Sequence, residues 1–294
     1  MRAAVVRTFG GPEAVEVVEA ELPEPAARQV RIKVAAAALN PVDAGVRSGV
    51  FGGAGKQIGL GWDVAGTVDA TGVATAWNVG DEVVALDYGM IKPLGTHAEY
   101  VVVDTDAVAK APASVDAVAA ATLPLNALTA VQALDLLELT AGQALLVTGA
   151  AGAVGGFAVQ LAARRGIAVT GLGRETDEQL VRSLGAAGFT ATGEGSYDAV
   201  LDAAVLGEAA LARVRDGGAY AGVIPQAQPA SVRGVRTTAV EVSADGARLA
   251  ELVRLVDEGV LTLRVAETFA LDDAAKAHAR LAEGGVRGRL VLVP

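Results

Sequence analysis

The chain has 294 residues, of which 52% are hydrophobic and only 4% aromatic, and its formal net charge is −10. This length suits two domains, and the acidic balance argues against a nucleic acid partner. The chain has no cysteine, which excludes disulfides, thiolate metal sites and thiol nucleophiles and fits a cytoplasmic location. The first residues lack the apolar run of a secretion signal, and we expect no membrane partner.

The first hundred residues are predicted to form strands and turns. The segments "AAVV", "QVRIKVAAAAL", "GTVDAT" and "DEVVAL" are β-like, are separated by Gly, Pro and Asp, and show little helical period. Around Val115 the sequence becomes rich in Ala and Leu, which predicts a helix that breaks near Pro124.

From Gln143 onward, strand-like and helix-like segments alternate. We predict strands at 144–148, 167–172, 199–202 and 218–223, and helices at 154–165, 175–184, 207–214 and 246–259. Such alternation is typical of an α/β fold with a doubly wound parallel sheet. The tail from Leu263 predicts a last helix and a final strand.

The stretch "TGAAGAVGGFAVQLAARRG", Thr148 to Gly166, has four interpretations: a membrane span, a buried helix hairpin, a tight strand–helix packing turn, or a phosphate-binding turn that opens a helix. A span needs about 20 apolar residues, and the glycines make the first half a poor helix former. The phosphate-binding interpretation is favoured because the glycines follow a strand, open a helix and precede a second strand. The turn residues that we expect to contact the cofactor are Gly149, Ala150, Ala151, Gly152, Ala153, Val154 and Gly155.

The end of the second strand, "GLGRETDE", bears on which dinucleotide binds. An acid there accepts from the ribose hydroxyls of NADH, whereas Arg with small neighbours suits the 2′-phosphate of NADPH. Here Gly171 and Gly173 are small and Arg174 follows, while Glu175 and Asp177 suit the start of the next helix. The pattern favours NADPH over NADH, with Gly173 and Arg174 as cofactor-binding residues.

A second motif, "YGMIK", has the Tyr-x-x-x-Lys spacing that short-chain dehydrogenases combine with a glycine-rich turn. In those enzymes the turn opens the chain and the Tyr/Lys pair follows on a helix. Here Tyr88 and Lys92 precede the turn, and Gly89 and Pro93 make a helix unfavourable. The motif therefore does not favour a short-chain dehydrogenase.

Several motifs in order resemble the zinc-independent quinone oxidoreductase and enoyl reductase branch of the medium-chain dehydrogenase/reductases. They are "ALNPVDAGVRSGVF", "GLGWDVAGTV", "NVGDEVVAL", "GTHAEYVVV", "LPLNALTAVQAL", the glycine turn, "GGAYAGV" and "GGVRGRLVLVP". The resemblance implies a Rossmann doubly wound parallel sheet inserted into a GroES-like β-rich domain. It places the GroES-like catalytic domain at 1–119 and 264–294 and the NADPH-binding domain at 120–263. It also implies a homodimer, for which the segment "AYAGVIP" is a candidate edge strand.

The resemblance also bears on whether the chain has a zinc site. Zinc enzymes of this superfamily have Gly-His-Glu where this chain has Gly61, Trp62 and Asp63, and no cysteine supplies further ligands. We therefore predict no zinc site. Asp63 is expected to pin a turn or an ion pair. His97 and His278 are expected to be surface or packing residues rather than ligands.

By resemblance, several residues lie around the nicotinamide. Asn40 is expected near the cofactor and the substrate carbonyl, Thr129 beside the carboxamide, and Asp43 as an orienting or proton-relaying group. Tyr88 is the best phenolic candidate for proton donation. At the ends of later strands, Asp202, Gly222 and Val223 are candidate cofactor contacts; Asp202 is alternatively a strand-end cap.

Two departures from the family pattern affect the expected site. Gly45 and Phe51 stand where bacterial quinone reductases carry tyrosines, which predicts a more apolar substrate site. The segment before Tyr197 is short, so a helix and a cofactor-facing tyrosine of the relatives are expected to be missing. The predicted function is NADPH-dependent reduction of quinones or conjugated enones. The alternatives are an enoyl-thioester reductase and a non-catalytic NADPH-binding protein.

Overall fold

The computed structural model describes residues 1–294 and contains sixteen strands and eight α-helices. The strands are β1 (Arg2–Val6), β2 (Val15–Glu19), β3 (Gln29–Leu39), β4 (Ile58–Gly59), β5 (Asp63–Thr71), β6 (Glu82–Leu86), β7 (Tyr100–Asp104), β8 (Val108–Lys110), β9 (Ala144–Thr148), β10 (Ala168–Leu172), β11 (Gly188–Thr190), β12 (Tyr197–Asp202), β13 (Val214–Gly222), β14 (Arg236–Ala239), β15 (Val265–Ala270) and β16 (Arg289–Val293). The helices are α1 (Pro41–Ser48), α2 (Ala117–Ala120), α3 (Pro124–Leu137), α4 (Ala153–Arg164), α5 (Glu178–Ser183), α6 (Glu208–Leu211), α7 (Gly246–Asp257) and α8 (Ala274–Glu283).

The chain divides into two compact units. The first comprises Met1–Leu125, Ser243–Gly259 and Leu263–Pro294, and the second comprises Asn126–Val242 and Val260–Thr262. The predicted domain at 120–263 includes helix α7, whereas the first unit holds this helix. The reason is local packing: Gly246 at the start of α7 lies so close to β8 that an added Cβ would stand 2.5 Å from the carbonyl oxygen of Val108.

The first unit is β-rich, as predicted. Three strands form a small sheet in the order β2-β1-β4, and a larger sheet has the order β15-β16-β3-β5-β6-β8, with β7 also paired to β3. Most of these pairs are antiparallel. Along β3 the side chains of Val30, Ile32 and Val34 alternate into a core that also holds Val64 and Val83. This period-two alternation is typical of a strand with one buried face, and the strand itself was predicted.

Helix α1 corrects the prediction that the first hundred residues contain only strands and turns. Asn40 caps its N-terminus, Pro41 occupies its first turn, and Asp43 lies three residues after the cap. Gly49 ends the helix with φ of 83°, the left-handed conformation that glycine adopts most readily. These start and stop signals were present in the sequence, but eight residues are too few for a helical period to be evident.

The second unit contains a six-stranded parallel sheet with the order β11-β10-β9-β12-β13-β14. Counted from β9, this is the order 3-2-1-4-5-6 of a doubly wound dinucleotide-binding fold, so the predicted sheet is confirmed. Strand β9 has the predicted bounds, and α4 begins one residue earlier than predicted. The helix predicted at 207–214 is shorter because β13 already begins at Val214.

Two further expectations concern the ends of this sheet. The segment "AYAGVIP" is not an edge strand: β13 lies between β12 and β14, and β14 forms the edge. That expectation was wrong because the prediction contained no strand at 236–239. The short segment between β11 and β12 has no helix, as predicted.

One helical stretch, Ala117–Leu137, is long and apolar enough to match a membrane span. It is interrupted between α2 and α3, as predicted near Pro124, and 78% of its most apolar window is buried inside the protein. The core helices of globular proteins have the same composition, so the stretch is weak support for a membrane contact.

Candidate nucleotide-binding and catalytic sites

The carboxyl ends of four strands meet in register in the second unit. Leu172 of β10 pairs with Thr148 of β9, Thr148 with Asp202 of β12, and Asp202 with Gly222 of β13. The sheet order reverses between β9 and β12, and ligands of doubly wound folds bind at the carboxyl ends beside such a reversal. The sheet thus brings the predicted turn, Gly173, Asp202 and Gly222 to one edge.

The glycine turn after β9 has a different requirement at each glycine. Gly149 has φ of 59° and turns the chain sharply. Gly152 precedes the first residue of α4, and its N–H donates to Gly149 O at 2.8 Å. Gly155 allows the helix to approach the turn, since a Cβ there would lie 2.2 Å from Gly149 O. These are the three roles that glycines have in a dinucleotide-binding turn.

The turn suits a pyrophosphate. The side chains between the glycines are small, namely those of Ala150, Ala151 and Ala153, and Ala150 and Ala151 are buried. The first N–H groups of the twelve-residue α4 have no partner within the helix, and its dipole favours negative charge at this end. The backbone at this turn therefore has both the close approach and the polarity that a dinucleotide phosphate needs.

Asp202 is bound from several sides within the sheet. Thr148 Oγ1 donates to its Oδ1 at 2.6 Å, and Gly207 N and Tyr220 OH each donate to its Oδ2 at 2.8 Å. The Asp202 carboxylate is fully buried. The burial of Tyr220, together with its hydrogen bond to Asp202, raises the pKa of the Tyr220 hydroxyl. The bonds favour the strand-end cap over a direct cofactor contact, which stays a prediction.

Arg174 lies directly after β10 and Gly173. It is exposed and has no ion-pair partner. Its backbone N–H donates to Asp177 Oδ2 at 3.2 Å, and residues 175–177 form a 3-10 turn that leads into α5. The two acids therefore start a helix, as predicted. Val223 follows Gly222 at the neighbouring strand end, and Thr129 is buried in α3.

In the first unit, a buried polar network joins three of the residues singled out in the sequence. Asp43 accepts from Asn40 N at 2.8 Å through Oδ2 and from Gly61 N at 2.7 Å through Oδ1. Asp63 accepts from Asn40 Nδ2 through Oδ2 and from Leu125 N through Oδ1, both at 2.6 Å. Asp43 thus orients the loop, as predicted; a proton-relay role stays a prediction.

Arg289 is a charged neighbour of this network that the sequence did not reveal. It begins β16, next to the strand β3 that leads into Asn40, and its charge acts on both Asp43 and Asp63. Burial lowers the pKa of Arg289 to about 10 and raises that of Asp63 to about 7. For Asp63, the loss of solvation outweighs its two hydrogen bonds and the charge of Arg289.

Tyr88 and Lys92 lie in the loop after β6, which contains no helix. The Tyr88 ring is 41% exposed and packs edge-on against Trp62, with ring centroids 5.3 Å apart. Lys92 Nζ donates to Gly61 O at 2.9 Å and to Asp87 O and Oδ2 at 2.6 Å each. The ammonium group is therefore held by Asp87 of its own loop and by Gly61 of the turn before β5.

The two histidines are packed together rather than placed at the surface. Each is 1% exposed, and their ring centroids are 6.4 Å apart. His97 Nε2 lies 3.1 Å from Ala38 O, and Arg47 Nη1 donates to His278 Nδ1 at 3.3 Å. The packing alternative of the prediction holds, and the surface alternative is wrong, because the loop before β7, helix α1 and helix α8 come together only in the fold.

Within the 294 residues described, no three His, Cys, Asp or Glu side chains are grouped as metal ligands. Trp62, at the position of a zinc-ligating histidine, is buried. Phe51 packs directly on Gly45, since a Cβ there would lie 2.8 Å from the ring. A larger residue at position 45 would displace Phe51. The replacement of tyrosine by Gly45 and the replacement of tyrosine by Phe51 therefore depend on each other.

Comparisons with known proteins agree with both units. Residues 26–113 match a family model described as an alcohol dehydrogenase GroES-like domain, and residues 174–292 match one described as a zinc-binding dehydrogenase. The chain is 33% identical, over its full length and 80% of the relative, to the chloroplastic NADPH-dependent alkenal/one oxidoreductase of Arabidopsis thaliana. The chain belongs to the quinone oxidoreductase-like, zinc-independent medium-chain dehydrogenase/reductases.

Solved structures of this family share the whole fold. The quinone oxidoreductase of Coxiella burnetii is 27% identical, with a TM-score of 0.89 over 100% of this chain and 99% of its own. A mycobacterial protein in complex with NADPH is 26% identical, with a TM-score of 0.85 over both full chains. The predicted family and fold are confirmed. The protein is an oxidoreductase that binds a nicotinamide dinucleotide.

Proposed function

We propose that the protein is an NADPH-dependent reductase that transfers a hydride to quinones or conjugated enones without a metal ion. The observation that carries the cofactor choice is the end of β10, where two glycines precede an exposed, unpaired Arg174. A guanidinium group in this position suits a 2′-phosphate, which binds arginine through two parallel hydrogen bonds. The Arabidopsis relative is NADPH-dependent by name, which supports the same choice.

The substrate class follows from the chemistry that the side chains offer. NADPH supplies the hydride when it is bound. An isolated ketone needs strong polarisation of its oxygen, and the chain has no grouped ligands for a Lewis acid. A conjugated C=C–C=O is easier to reduce, because hydride at the β-carbon moves charge onto the oxygen, where hydrogen-bond donors suffice. The relatives include a quinone oxidoreductase and an alkenal/one oxidoreductase, which supports this class.

Titration with NADPH and NADH, followed by nicotinamide fluorescence, tests the cofactor. We expect tighter NADPH binding and roughly a 10-fold to 100-fold loss of NADPH affinity in Arg174→Ala, with NADH affinity unchanged. Arg182→Ala is the matched control, because Arg182 is a nearby arginine of α5 that pairs with Glu178. Tighter NADH binding, or equal NADPH affinity in Arg174→Ala and wild type, would contradict the proposal.

A panel of quinones, enones and enoyl thioesters, followed by NADPH oxidation, tests the reaction. Turnover of quinones or enones supports the proposed reductase, and exclusive turnover of thioesters would favour the enoyl-thioester alternative. NADPH binding without turnover would favour a non-catalytic binder. The homodimer, the cytoplasmic location and the proton-donor role of Tyr88 stay predictions.

A further inference from the structure

Asp63 closes a ring of hydrogen bonds around Asn40. Its Oδ2 accepts from the Asn40 side-chain amide, and Asp43 accepts from both the Asn40 backbone and Gly61. Gly61 and Asp63 lie two residues apart in one segment. Asn40 is therefore held at its backbone by Asp43 and at its side chain by Asp63.

The second oxygen of Asp63 extends this ring to a helix. Oδ1 accepts from the N–H of Leu125, which is the second residue of α3. A negative charge in this place also favours the helix dipole. Since both oxygens accept from N–H groups, the geometry fits the ionised carboxylate, because a protonated one would give up an acceptor site.

We propose that Asp63 is a positioning residue for hydride transfer, and that its ionised carboxylate fixes the direction of the Asn40 amide. The inference rests on the proposed reductase function. With Nδ2 directed at Asp63, and at Ala38 O at 3.4 Å, the donor side of the amide is turned towards the protein. Asn40 therefore does not donate to a substrate carbonyl in this state, and it acts through its placement and its amide oxygen.

The charge environment makes this arrangement sensitive to pH. The groups that face Asp63 are Arg289 from β16, Asp43 from α1, the Asn40 amide and the N–H of Leu125, and β6 contributes the apolar Leu86 opposite it. Burial raises the pKa of Asp63 to about 7. Protonation then removes the acceptor that holds Asn40, so we expect turnover to fall as the pH drops below about 7.

Asp63→Asn is the sharpest variant, because it keeps the shape and the acceptor for Leu125 but turns an NH₂ towards Asn40. Two donors then face each other, and Asn40 is expected to rotate its amide. We expect kcat to fall by roughly 10-fold to 100-fold, with NADPH affinity within about 3-fold of wild type and the fall of activity near pH 7 absent. The double variant N40D/D63N restores a donor–acceptor pair of reversed polarity and is expected to fold like wild type without recovering kcat.

A wild-type kcat and pH profile in Asp63→Asn would overturn the inference, and so would recovery of kcat in the double variant. If Asp63→Asn does not fold, nitrogen-15 NMR of wild type decides, because the Asn40 NH₂ signals should shift with a midpoint near pH 7. Constant signals between pH 5 and 9 would also overturn it. The NMR measurement requires no substrate. A wild type without turnover contradicts the proposed function, whereas the NMR result decides separately whether ionised Asp63 holds the Asn40 amide.

Discussion

Thr148 Oγ1 donates a 2.6 Å hydrogen bond to Asp202 Oδ1 and so joins the carboxyl ends of β9 and β12, where the order of the parallel sheet reverses. Thr148 Oγ1 also accepts from Ala204 N at 3.0 Å, which extends the connection into the loop after β12. The crevice at such a reversal is where doubly wound folds bind nucleotides. The strand ends that form this crevice are thus joined by buried side-chain hydrogen bonds as well as by the backbone hydrogen bonds of the sheet.

Asp202→Ala is expected to destabilise the protein strongly. The substitution leaves the hydroxyls of Thr148 and Tyr220 and the N–H of Gly207 without their acceptor, and removing one partner of a buried charged network costs about 3–5 kcal/mol. Urea unfolding measures this loss. Nicotinamide fluorescence at a temperature where the variant stays folded is expected to show weaker dinucleotide binding.

Asp198→Ala is the matched control for this prediction. Asp198 lies in the same strand, accepts from Ala144 N at 2.6 Å and pairs with Arg215, but it is remote from the carboxyl end. We expect a smaller loss of stability and unchanged dinucleotide affinity. Equal stability of the two variants would show that the buried network contributes nothing special at position 202.

Two substitutions in the glycine turn are expected to separate the effect on stability from the effect on NADPH binding. Gly155→Ala should distort the turn, because its Cβ would lie 2.2 Å from Gly149 O, although Ala normally stabilises a helix by about 1 kcal/mol relative to Gly. Gly152→Ala meets the same oxygen at 3.0 Å, which a small shift relieves. We expect a large drop of the melting temperature for Gly155→Ala only, and weaker NADPH binding for both. A Gly155→Ala variant as stable as wild type would contradict the assigned packing role.

Much of the nucleotide-binding unit could be predicted because its signals are local. A buried strand, a glycine turn and an apolar, largely buried helix follow each other within Ala144–Arg164, and the glycines between the two apolar segments identify the motif. The doubly wound parallel sheet followed from the alternation of strands and helices, although no strand order was predicted. The position of β13 inside the sheet could not be obtained in this way, because it depends on pairing with a weak four-residue strand, β14.

The polar networks of the first unit were not predictable for a related reason. Asn40 and Asp63, or His97 and His278, are brought together by the pairing and packing of elements distant in the chain. No single-sequence pattern specifies such contacts, and an isolated His or Asp gives no sign of its burial. Asp63 and Asn40 were singled out only by their motifs, and the hydrogen bond between them appeared with the fold.

The buried His278 predicts acid sensitivity. Arg47 donates to its Nδ1, and burial, with the charges of His97 and Arg47, lowers the pKa of His278 to about 3. The unfolded chain takes up a proton at this residue below about pH 6.5, and the folded chain does so only near pH 3. Stability is therefore complete above pH 6.5 and falls by up to about 1.4 kcal/mol per pH unit as the pH decreases through this window.

His278→Gln isolates this contribution, because Gln keeps an acceptor for Arg47 but does not titrate. Urea unfolding at pH 7 and pH 5 should show that wild type loses about 2 kcal/mol more than the variant between these values. The raised pKa of Asp63 makes the folded protein more stable as the pH falls below about 7, which opposes the effect of His278. This contribution is the same in wild type and in His278→Gln and does not affect their difference. His97 is the other histidine of the chain and is present in both as well. The same pH dependence in wild type and variant would contradict the prediction, because it would mean that folding does not lower the pKa of His278.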